Sequence, residues 1–209
     1  GLKLTYGRLP NDGIMPLSQS LDSPGPLARS VCDALMMFEV MDGREGWKIS
    51  RDYTDGTNNF SSLKRGVVGL RIGTLSASER QHCSPETLDA YDEAVMRLNE
   101  VGAVLQTFDN PKPYEELAAT NGAITAVEAY YNHHQLYEDS RKKMDADVRA
   151  RMLSGKHYTA HEYFGMREQR IQDMAAFAAQ MKGFDVLITP TTIGRAPNVD
   201  DVDQNIGPG

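Results

Sequence analysis

Apolar residues recur at a helical spacing in several stretches of this chain. The first stretch covers residues 27–41, where apolar side chains return every three or four positions and Gly43 follows as a stop signal. A second helix is predicted to begin after Ser84, a natural N-cap residue, with Pro85 at the first helical position. Gly102 ends this helix. Its apolar face consists of Leu88, Tyr91, Val95, Leu98 and Val101.

The second half of the chain is predicted to be mostly helical. Residues 114–144 follow a helical pattern that weakens at Asn121 and Gly122. A shorter helix is predicted to begin at Asp145 and to end at Gly155.

A capping box predicts the start of a longer helix. Thr159 can cap the free N–H groups of the first turn, while Glu162 reaches back to the N-cap backbone. The helix is predicted to run to Lys182, where Gly183 closes it. One face carries Ile171, Met174, Phe177, Ala178 and Met181.

Three short apolar segments are predicted to form strands. They cover residues 67–75, 103–108 and 184–190. The first two flank the helix after Ser84 with short joints, and this order favours a parallel βαβ unit in a layered α/β architecture. The third strand is predicted to be buried on both faces.

The remaining segments are rich in turn-forming residues. Residues 1–26 combine many Gly and Pro with small polar side chains, which predicts a long loop with a prescribed path. Loops of that length inside a compact domain are usually functional. Residues 44–66 have no period and are interpreted as a surface excursion. The predicted organisation is a single domain, with a loop over residues 1–26, a helical and αβ body over 27–192 and an irregular tail over 193–209.

Composition narrows the classes of function. The chain has 209 residues, of which 40% are hydrophobic and 24% are charged, as in an ordinary globular domain. The net charge is −7 and the basic residues are scattered, which argues against direct binding of nucleic acid. No apolar run approaches the ~20 residues that a membrane span needs. Because Cys32 and Cys83 do not make a disulfide framework, a reduced, cytoplasmic setting is expected.

The N-terminal loop resembles the signature segment of a known enzyme family. Residues 1–8 read GLKLTYGR, residues 13–22 read GIMPLSQSLD, and a Gly-Pro pair follows at residues 25–26. This pattern is similar to that of the amidase signature family, which usually reads GLKPTYGR and then a small-residue run ending in SLD and GP. Leu4 stands where that family most often has proline.

A second segment supports the resemblance. Residues 185–191 read DVLITPT after a long predicted helix, and the family carries a similar segment well downstream of its SLD loop. The two segments extend the resemblance over most of the chain. It implies an α/β fold in layers, with a mixed β-sheet flanked by helices, of which this chain carries an incomplete part.

The resemblance also implies an activity, the hydrolysis of a carboxylic amide to an acid and ammonia or an amine without metal or organic cofactor. A serine attacks the amide carbonyl, a lysine acts as base through a bridging serine in a cis peptide, and backbone N–H groups hold the oxyanion. In the family these catalytic side chains lie upstream of the GLKPTYGR segment. We therefore expect no catalytic residue within this chain and no activity from it alone.

Two other functions stay open. The glutamine-hydrolysing component of a tRNA-dependent amidotransferase, its A chain, belongs to the same family, but its sequence usually differs from residues 15–18 and 128–145 here. In a different class, the chain is a non-catalytic fragment or a scaffold. The identity of the small-molecule amide and the formation of a homodimer are left open by the sequence.

Polar residues of the N-terminal loop are expected to support an active site rather than to react. Ser18 and Ser20 have no histidine in this loop to act as a base, so they and Asp22 are interpreted as groups that hydrogen-bond the loop backbone. In the family this loop supports the nucleophile segment. The Arg8 guanidinium is expected to tie parts of the loop together, with Asp22 as its hypothesised partner.

Substrate-side residues are predicted farther along the chain. Ligands of open α/β sheets gather beyond the carboxyl ends of the strands, which places Thr191 near a pocket. The resemblance to the glutamine-hydrolysing amidotransferase component implies that Arg170 contacts the carboxylate of the amide donor, and a solvated arginine is an equally good interpretation. Tyr130 belongs to the helical stretch that contributes pocket wall in relatives, with core packing as its default role.

No metal site is predicted. His157 and His161 are four residues apart, but the helix start at Thr159 lies between them, and a zinc-binding helix would need a further histidine. An acidic run over residues 200–205 lacks the glycine and the glutamate of an EF-hand. Cys83 precedes a helix N-terminus without a base nearby, so its placement is interpreted as incidental.

Overall fold

The computed structural model describes residues 1–43, 63 and 65–198. These residues fall into two compact units, Gly1–Gly66 and Val67–Gly209. Most of the excursion expected over residues 44–66, and the acidic run over residues 200–205, lie outside the described residues.

The described part of the first unit consists mainly of the N-terminal loop and one helix. Helix α1 spans Val31–Met41 and begins later than predicted, because Ser30 caps it by accepting a hydrogen bond from the Asp33 N–H (3.1 Å). Gly43 follows the helix with φ +86°, a backbone conformation that explains the predicted glycine stop.

The two ends of the N-terminal loop lie side by side. The Leu2 N–H donates to the Pro26 carbonyl (2.9 Å). A Cβ on Gly25 would lie 2.1 Å from the Leu2 carbonyl oxygen, so this close approach requires glycine. Inside the loop, the Tyr6 hydroxyl donates to the Gln19 carbonyl (2.6 Å). The loop therefore has a defined path, as its composition predicted.

The second unit is built on a small parallel sheet. Its strands are β1 (Arg71–Leu75), β2 (Val104–Phe108) and β3 (Val186–Leu187), in the order β2-β1-β3. Ile72 lies opposite Leu105 on one side and Val186 on the other. The predicted parallel βαβ unit and the α/β class are confirmed. A mixed sheet was expected, whereas the strands of the described residues pair only in parallel.

Helices surround this sheet and form the rest of the second unit. They are α2 (Ala77–Arg80), α3 (Pro85–Glu100), α4 (Tyr114–Glu138), α5 (Ala146–Leu153) and α6 (Ala160–Gln180). The predicted N-caps are confirmed, because Ser84 accepts from a backbone N–H at 3.3 Å, Asp145 does so at 2.8 Å, and Thr159 and Glu162 complete a capping box. None of the helices in the described part of the chain is both long and apolar enough to cross a membrane.

Two local expectations are wrong. Helix α4 ends at Glu138 rather than near residue 144. It is continuous through Asn121 and Gly122, where the pattern weakens, and departs from helical geometry at His133 (φ −135°, ψ 21°). Strand β3 is not buried on both faces, since Val186 is 43% exposed. Strand β3 pairs only with β1 and is an edge strand of the described sheet.

Helix α5 and the turn that follows it pack closely against α4. Ile124 and Ala129 of α4 are fully buried. Gly155 follows α5 in a 3₁₀ turn, and a Cβ there would lie 2.1 Å from the Ala126 carbonyl oxygen. Glycine therefore allows the end of α5 to contact the α4 backbone directly.

Candidate substrate-binding site

A cavity of about 650 Å³ lies at the carboxyl end of the sheet, a volume typical of small-molecule sites. We call it the sheet-edge cavity. Leu75, the last residue of β1, and residues 189–193, which follow β3, form one side of it. Glu79 and Tyr114 line it from the helical side. This is the edge at which ligands of parallel α/β sheets bind.

Tyr91 of α3 holds the two strand ends that border this cavity. Its hydroxyl accepts a hydrogen bond from the Leu75 N–H (2.8 Å) and donates one to the Ile188 carbonyl (3.3 Å). The side chain is 6% exposed, and this burial raises the pKa of the Tyr91 phenol, which keeps the donating proton in place. The sequence pattern predicted only an apolar contact for Tyr91, so this role was missed.

Glu79 lines this cavity and was also missed by sequence reasoning. It is 8% exposed, and its Oε1 accepts a hydrogen bond from the Tyr114 N–H (3.1 Å). Burial, and then the neighbouring Glu79 carboxylate, raise the pKa of the Tyr114 phenol. The available signal was the Ser-x-x-Glu pattern from Ser76, since an acidic residue at that position of a capping box marks a helix start.

A smaller cavity of about 290 Å³ lies between α4 and α6. We call it the Arg170 cavity. Arg170 Nε donates to Asn121 Oδ1 (3.1 Å), and its Nη1 contacts Met174 Sδ (3.0 Å). Leu117 and Phe177 contribute apolar wall. The arrangement presents a guanidinium in a largely apolar recess.

Polar contacts join α4 and α6 beside the Arg170 cavity. The Tyr163 hydroxyl donates to Glu128 Oε1 (2.6 Å), and Arg167 Nη1 donates both to Glu128 (3.3 Å) and to the Tyr163 hydroxyl (2.8 Å). Burial, followed by the hydrogen bond to Glu128, raises the pKa of Tyr163. Lys112 pairs with Asp173 (2.9 Å) and lowers the pKa of that carboxyl.

The predicted substrate-side residues lie in different places. Thr191 lines the sheet-edge cavity and Arg170 lines its own cavity. The Tyr130 hydroxyl donates to Glu138 Oε1 (2.7 Å), and this hydrogen bond raises the pKa of the phenol. The structure therefore does not bring the three residues together in one cavity.

In the first unit, Asp22 fixes the backbone of its own turn. Its Oδ2 accepts hydrogen bonds from the Leu17 N–H (2.9 Å) and the Ser18 N–H (3.0 Å). Ser18 and Ser20 are buried, at 1% and 8% exposure. These bonds are of the backbone-holding kind that the sequence suggested for Asp22.

The hypothesised pairing of Arg8 with Asp22 is wrong. Arg8 forms its ion pair with Asp42, which follows α1, and its guanidinium lies 5.8 Å from the centre of the Phe38 ring. The physical reason is that Asp22 already accepts two backbone N–H groups within its turn. Arg8 therefore ties the loop to the end of α1.

The histidines and cysteines do not assemble a metal centre in the described residues. Across residues 1–43 and 65–198, no cluster of three or more His, Cys, Asp or Glu side chains is arranged to hold a metal ion. His157 ends a 3₁₀ turn, whereas His161 lies in the first turn of α6. Cys32 and Cys83 do not form a disulfide bond with each other.

Comparison with known proteins identifies the family. The family model described as Amidase matches residues 1–207. This chain belongs to the amidase family, and the resemblance of its N-terminal loop and its DVLITPT segment is thereby confirmed.

Alignments with individual relatives cover almost all of this chain. It is 33% identical over 193 residues to an amidase of Pseudomonas putida, an alignment that spans 91% of this chain and 41% of that protein. It is 28% identical over 217 residues to the A chain of the glutamyl-tRNA(Gln) amidotransferase of Lawsonia intracellularis (92% and 45%). A solved structure of an inhibitor-bound vestigial complex, related to the origins of an s-triazine catabolic enzyme, matches with a TM-score of 0.77 and 27% identity (95% and 42%). The chain spans less than half the length of these relatives.

Proposed function

We propose that this chain is part of an amidase that hydrolyses a carboxylic amide to an acid and ammonia or an amine. The observation that carries the proposal is a ligand-sized cavity at the carboxyl end of the parallel sheet in a member of the amidase family. The serine, bridging serine and lysine of the reaction are proposed to lie outside these 209 residues. This chain would supply pocket walls and a loop that supports the reacting segment.

The supporting role is assigned to Arg8, Ser20 and Asp22. Asp22 fixes two successive backbone N–H groups, and Arg8 ties the loop to the residue that follows α1. Ser20 is 8% exposed and lies within the same turn region. A loop held in this way is already in place before substrate binds, which lowers the cost of orienting reacting groups.

Arg170 is proposed to contact a substrate carboxylate. Its Nε is fixed by Asn121. Among the described residues no carboxylate pairs with Arg170, and Asp173, which lines the same cavity, pairs with Lys112 instead. An oriented guanidinium in an apolar recess favours a planar anionic partner. Thr191 is proposed to line the part of the pocket at the sheet edge. Tyr130 remains a candidate pocket-wall residue in this proposal, although its hydroxyl is bonded to Glu138.

The test compares the 209-residue chain with the full product of the gene that encodes it. We expect the chain alone to release no ammonia from a panel of simple amides and not to react with a serine-directed fluorophosphonate. The full product is expected to hydrolyse an amide and to be labelled at a serine outside residues 1–209. Stoichiometric labelling of Ser18 or Ser20 would contradict this assignment of the catalytic residues.

The alternative is the glutamine-hydrolysing component of a tRNA-dependent amidotransferase. Its support is the 28% identity to such a component from Lawsonia intracellularis. Glutaminase activity that appears only with a partner protein would favour this alternative. A product without either activity or labelling would favour the remaining alternative, a non-catalytic fragment or scaffold.

The proposed enzyme acts on a small molecule in the cytoplasm and binds neither nucleic acid nor membrane. The net charge of −7 and the two cysteines, which do not form a disulfide with each other, support this setting. A homodimer is included in the proposal, and light scattering of the purified protein tests it. A monomer at micromolar concentration would contradict that part alone.

A further inference from the structure

Two buried glutamates of the second unit have different partners. Glu128 is 4% exposed and accepts hydrogen bonds from Tyr163 and Arg167. Glu79 is 8% exposed and accepts one hydrogen bond, from the Tyr114 N–H, through Oε1. Among the described residues, no cationic side chain pairs with Glu79, and its Oε2 accepts no hydrogen bond. The adjacent Arg80 is engaged by both carboxylate oxygens of Asp92 (2.7 and 2.8 Å).

The position of the Glu79 carboxylate is unusual for its local sequence. Ser76 and Glu79 repeat the spacing of Thr159 and Glu162. Glu162 returns to the Thr159 N–H (2.7 Å) and closes a reciprocal capping box. Glu79 instead reaches across to Tyr114, although Ser76 Oγ still accepts from the Glu79 N–H (3.4 Å). The side chain is thereby placed in the wall of the sheet-edge cavity rather than on its own helix start.

The surroundings of this carboxylate select the kind of ligand. A carboxylate removed from water is stable only when charged or hydrogen-bonding partners replace the water. The cavity offers apolar wall from Leu75, Ala118, Pro190 and Ile193. Its histidine, cysteine and glutamate side chains do not form a metal-binding group in the described part of the chain. The complementary ligand is an organic cation with a short apolar body.

We infer that the sheet-edge cavity binds a protonated primary amine, with Oε2 of Glu79 as the ion-pairing atom. The inference rests on the proposed function in one respect, which is that the amine belongs to the amide substrate or to its amine product. Glu79 thus acts as a specificity-determining residue that favours amides bearing a basic, aliphatic end. The Tyr114 N–H occupies Oε1, which leaves Oε2 as the carboxylate oxygen available for the ion pair.

The test uses n-pentylammonium and the neutral 1-pentanol as matched probes. Binding to the full 209-residue chain is followed by amide chemical shifts, with the Tyr114 N–H as reporter because it contacts Glu79 directly. We expect the ammonium to bind ~10- to 100-fold more tightly than the alcohol, as for a hydrogen-bonded charge pair. Equal affinities, or shifts that leave Tyr114 unmoved, would overturn the inference.

Variants isolate the contribution of the carboxylate. Glu79→Gln keeps an acceptor for the Tyr114 N–H and is expected to bring the ammonium down to the affinity of the alcohol. Glu100→Gln removes the same charge from an exposed position of α3 and is expected to leave both affinities unchanged. Retained preference in Glu79→Gln would overturn the inference. If that variant does not fold, Glu79→Asp serves instead, and it is expected to keep the preference in a weaker form.

The binding of ammonium probes and the proposed amide hydrolysis can each fail without the other. The probes bind without a reaction, so loss of ammonium binding leaves the fluorophosphonate and ammonia-release results standing. Conversely, a full gene product without amidase activity would remove the proposed substrate role while the ammonium site persisted.

Discussion

The α4–α6 interface and the carboxyl end of the sheet both bury a glutamate, but they treat it differently. At the interface, Glu128 is surrounded by a tyrosine hydroxyl and a guanidinium. At the sheet edge, Glu79 has one backbone N–H and a ligand-sized cavity in front of it. A buried carboxylate with internal partners therefore indicates a structural tie, whereas one that lines a cavity without a cationic partner indicates a binding role.

The same contrast extends to the neighbouring side chains. Contacts at the interface come from long side chains that reach across between the two helices, as in the pair of Arg170 with Asn121, or from the segment before α4 to α6, as in the pair of Lys112 with Asp173. At the sheet edge, Tyr91 is used to fix strand ends rather than to fill space. We therefore expect substitutions at the interface to act mainly on stability, and substitutions at the sheet edge to act on stability and binding together.

The largest expected effect comes from Gly155, at the closest backbone contact near the interface. Gly155→Ala would place Cβ 2.1 Å from the Ala126 carbonyl oxygen, and the three nearest atoms all belong to the α4 backbone, which cannot move aside as a flexible side chain could. We expect the free energy of unfolding to fall by ~3 kcal/mol or more in urea titrations. Gly165→Ala in α6 is the matched control, because no atom lies within 4 Å of its Cβ. It is expected to be neutral or slightly stabilising, and equal effects of the two variants would contradict the packing argument.

The comparison of the two glutamates predicts effects of unequal size. Glu128→Gln weakens charged hydrogen bonds to Tyr163 and Arg167, and the free energy of unfolding is expected to fall by ~1–3 kcal/mol. Glu79→Gln removes a buried charge that has no cationic partner among the described residues, so its cost is expected to be near zero. Both variants are measured by urea unfolding without ligand. A larger loss in Glu79→Gln would reverse the distinction between the two regions.

Tyr91→Phe is expected to have an intermediate effect. The variant leaves the Leu75 N–H and the Ile188 carbonyl without their hydroxyl partner, which should cost ~1–2 kcal/mol of unfolding free energy. The affinity of the sheet-edge cavity for n-pentylammonium should fall with it, because residues at both strand ends border that cavity. Tyr131→Phe, at a side chain that is 75% exposed, is the control and should change neither quantity.

The smallest expected effect depends on pH. The Arg71 side chain and N–H hydrogen-bond Asp185 and hold the pKa of its carboxyl at about 2. Because the folded-state pKa is lowered, the pair stabilises the fold above the ordinary pKa of about 4 and loses this contribution as the pH falls towards 2. Asp185→Asn should therefore reduce the fall in melting temperature between pH 5 and about 2. Asp89→Asn, at an exposed position of α3, is the control, and identical slopes in wild type and Asp185→Asn would contradict the assignment.

Local signals predicted much of the fold correctly. The starts of α3, α5 and α6 were found because a cap side chain bonds a backbone N–H three residues away. The bend at His133 and the exposure of β3 were missed, since both depend on the packing of neighbouring elements rather than on local pattern. The periodicity also predicted an apolar face for α6, but Ile171 on that face is 65% exposed.

Less of the candidate site than of the fold could be predicted from the sequence. Thr191 was placed near a pocket because strand ends of parallel sheets meet at one edge. The pairing of Arg8 with Asp42 spans 34 residues, a separation at which no local pattern distinguishes one carboxylate from another. The polar role of Tyr91 was hidden, because a tyrosine on an apolar helix face gives no sign of where its hydroxyl will point.

The hydrogen bond that joins the two ends of the N-terminal loop affects how the length of this loop can vary among related proteins. Because Leu2 and Pro26 are hydrogen-bonded to each other, the chain enters and leaves the loop at one point. The entropy of closing such a ring grows only slowly with its length, by about 0.6 kcal/mol for each doubling. Within the ring, Asn11 Nδ2 donates to the Asp22 carbonyl (3.3 Å). Insertions near Gly13 that keep this contact should therefore be tolerated, and length differences among related chains can accumulate there.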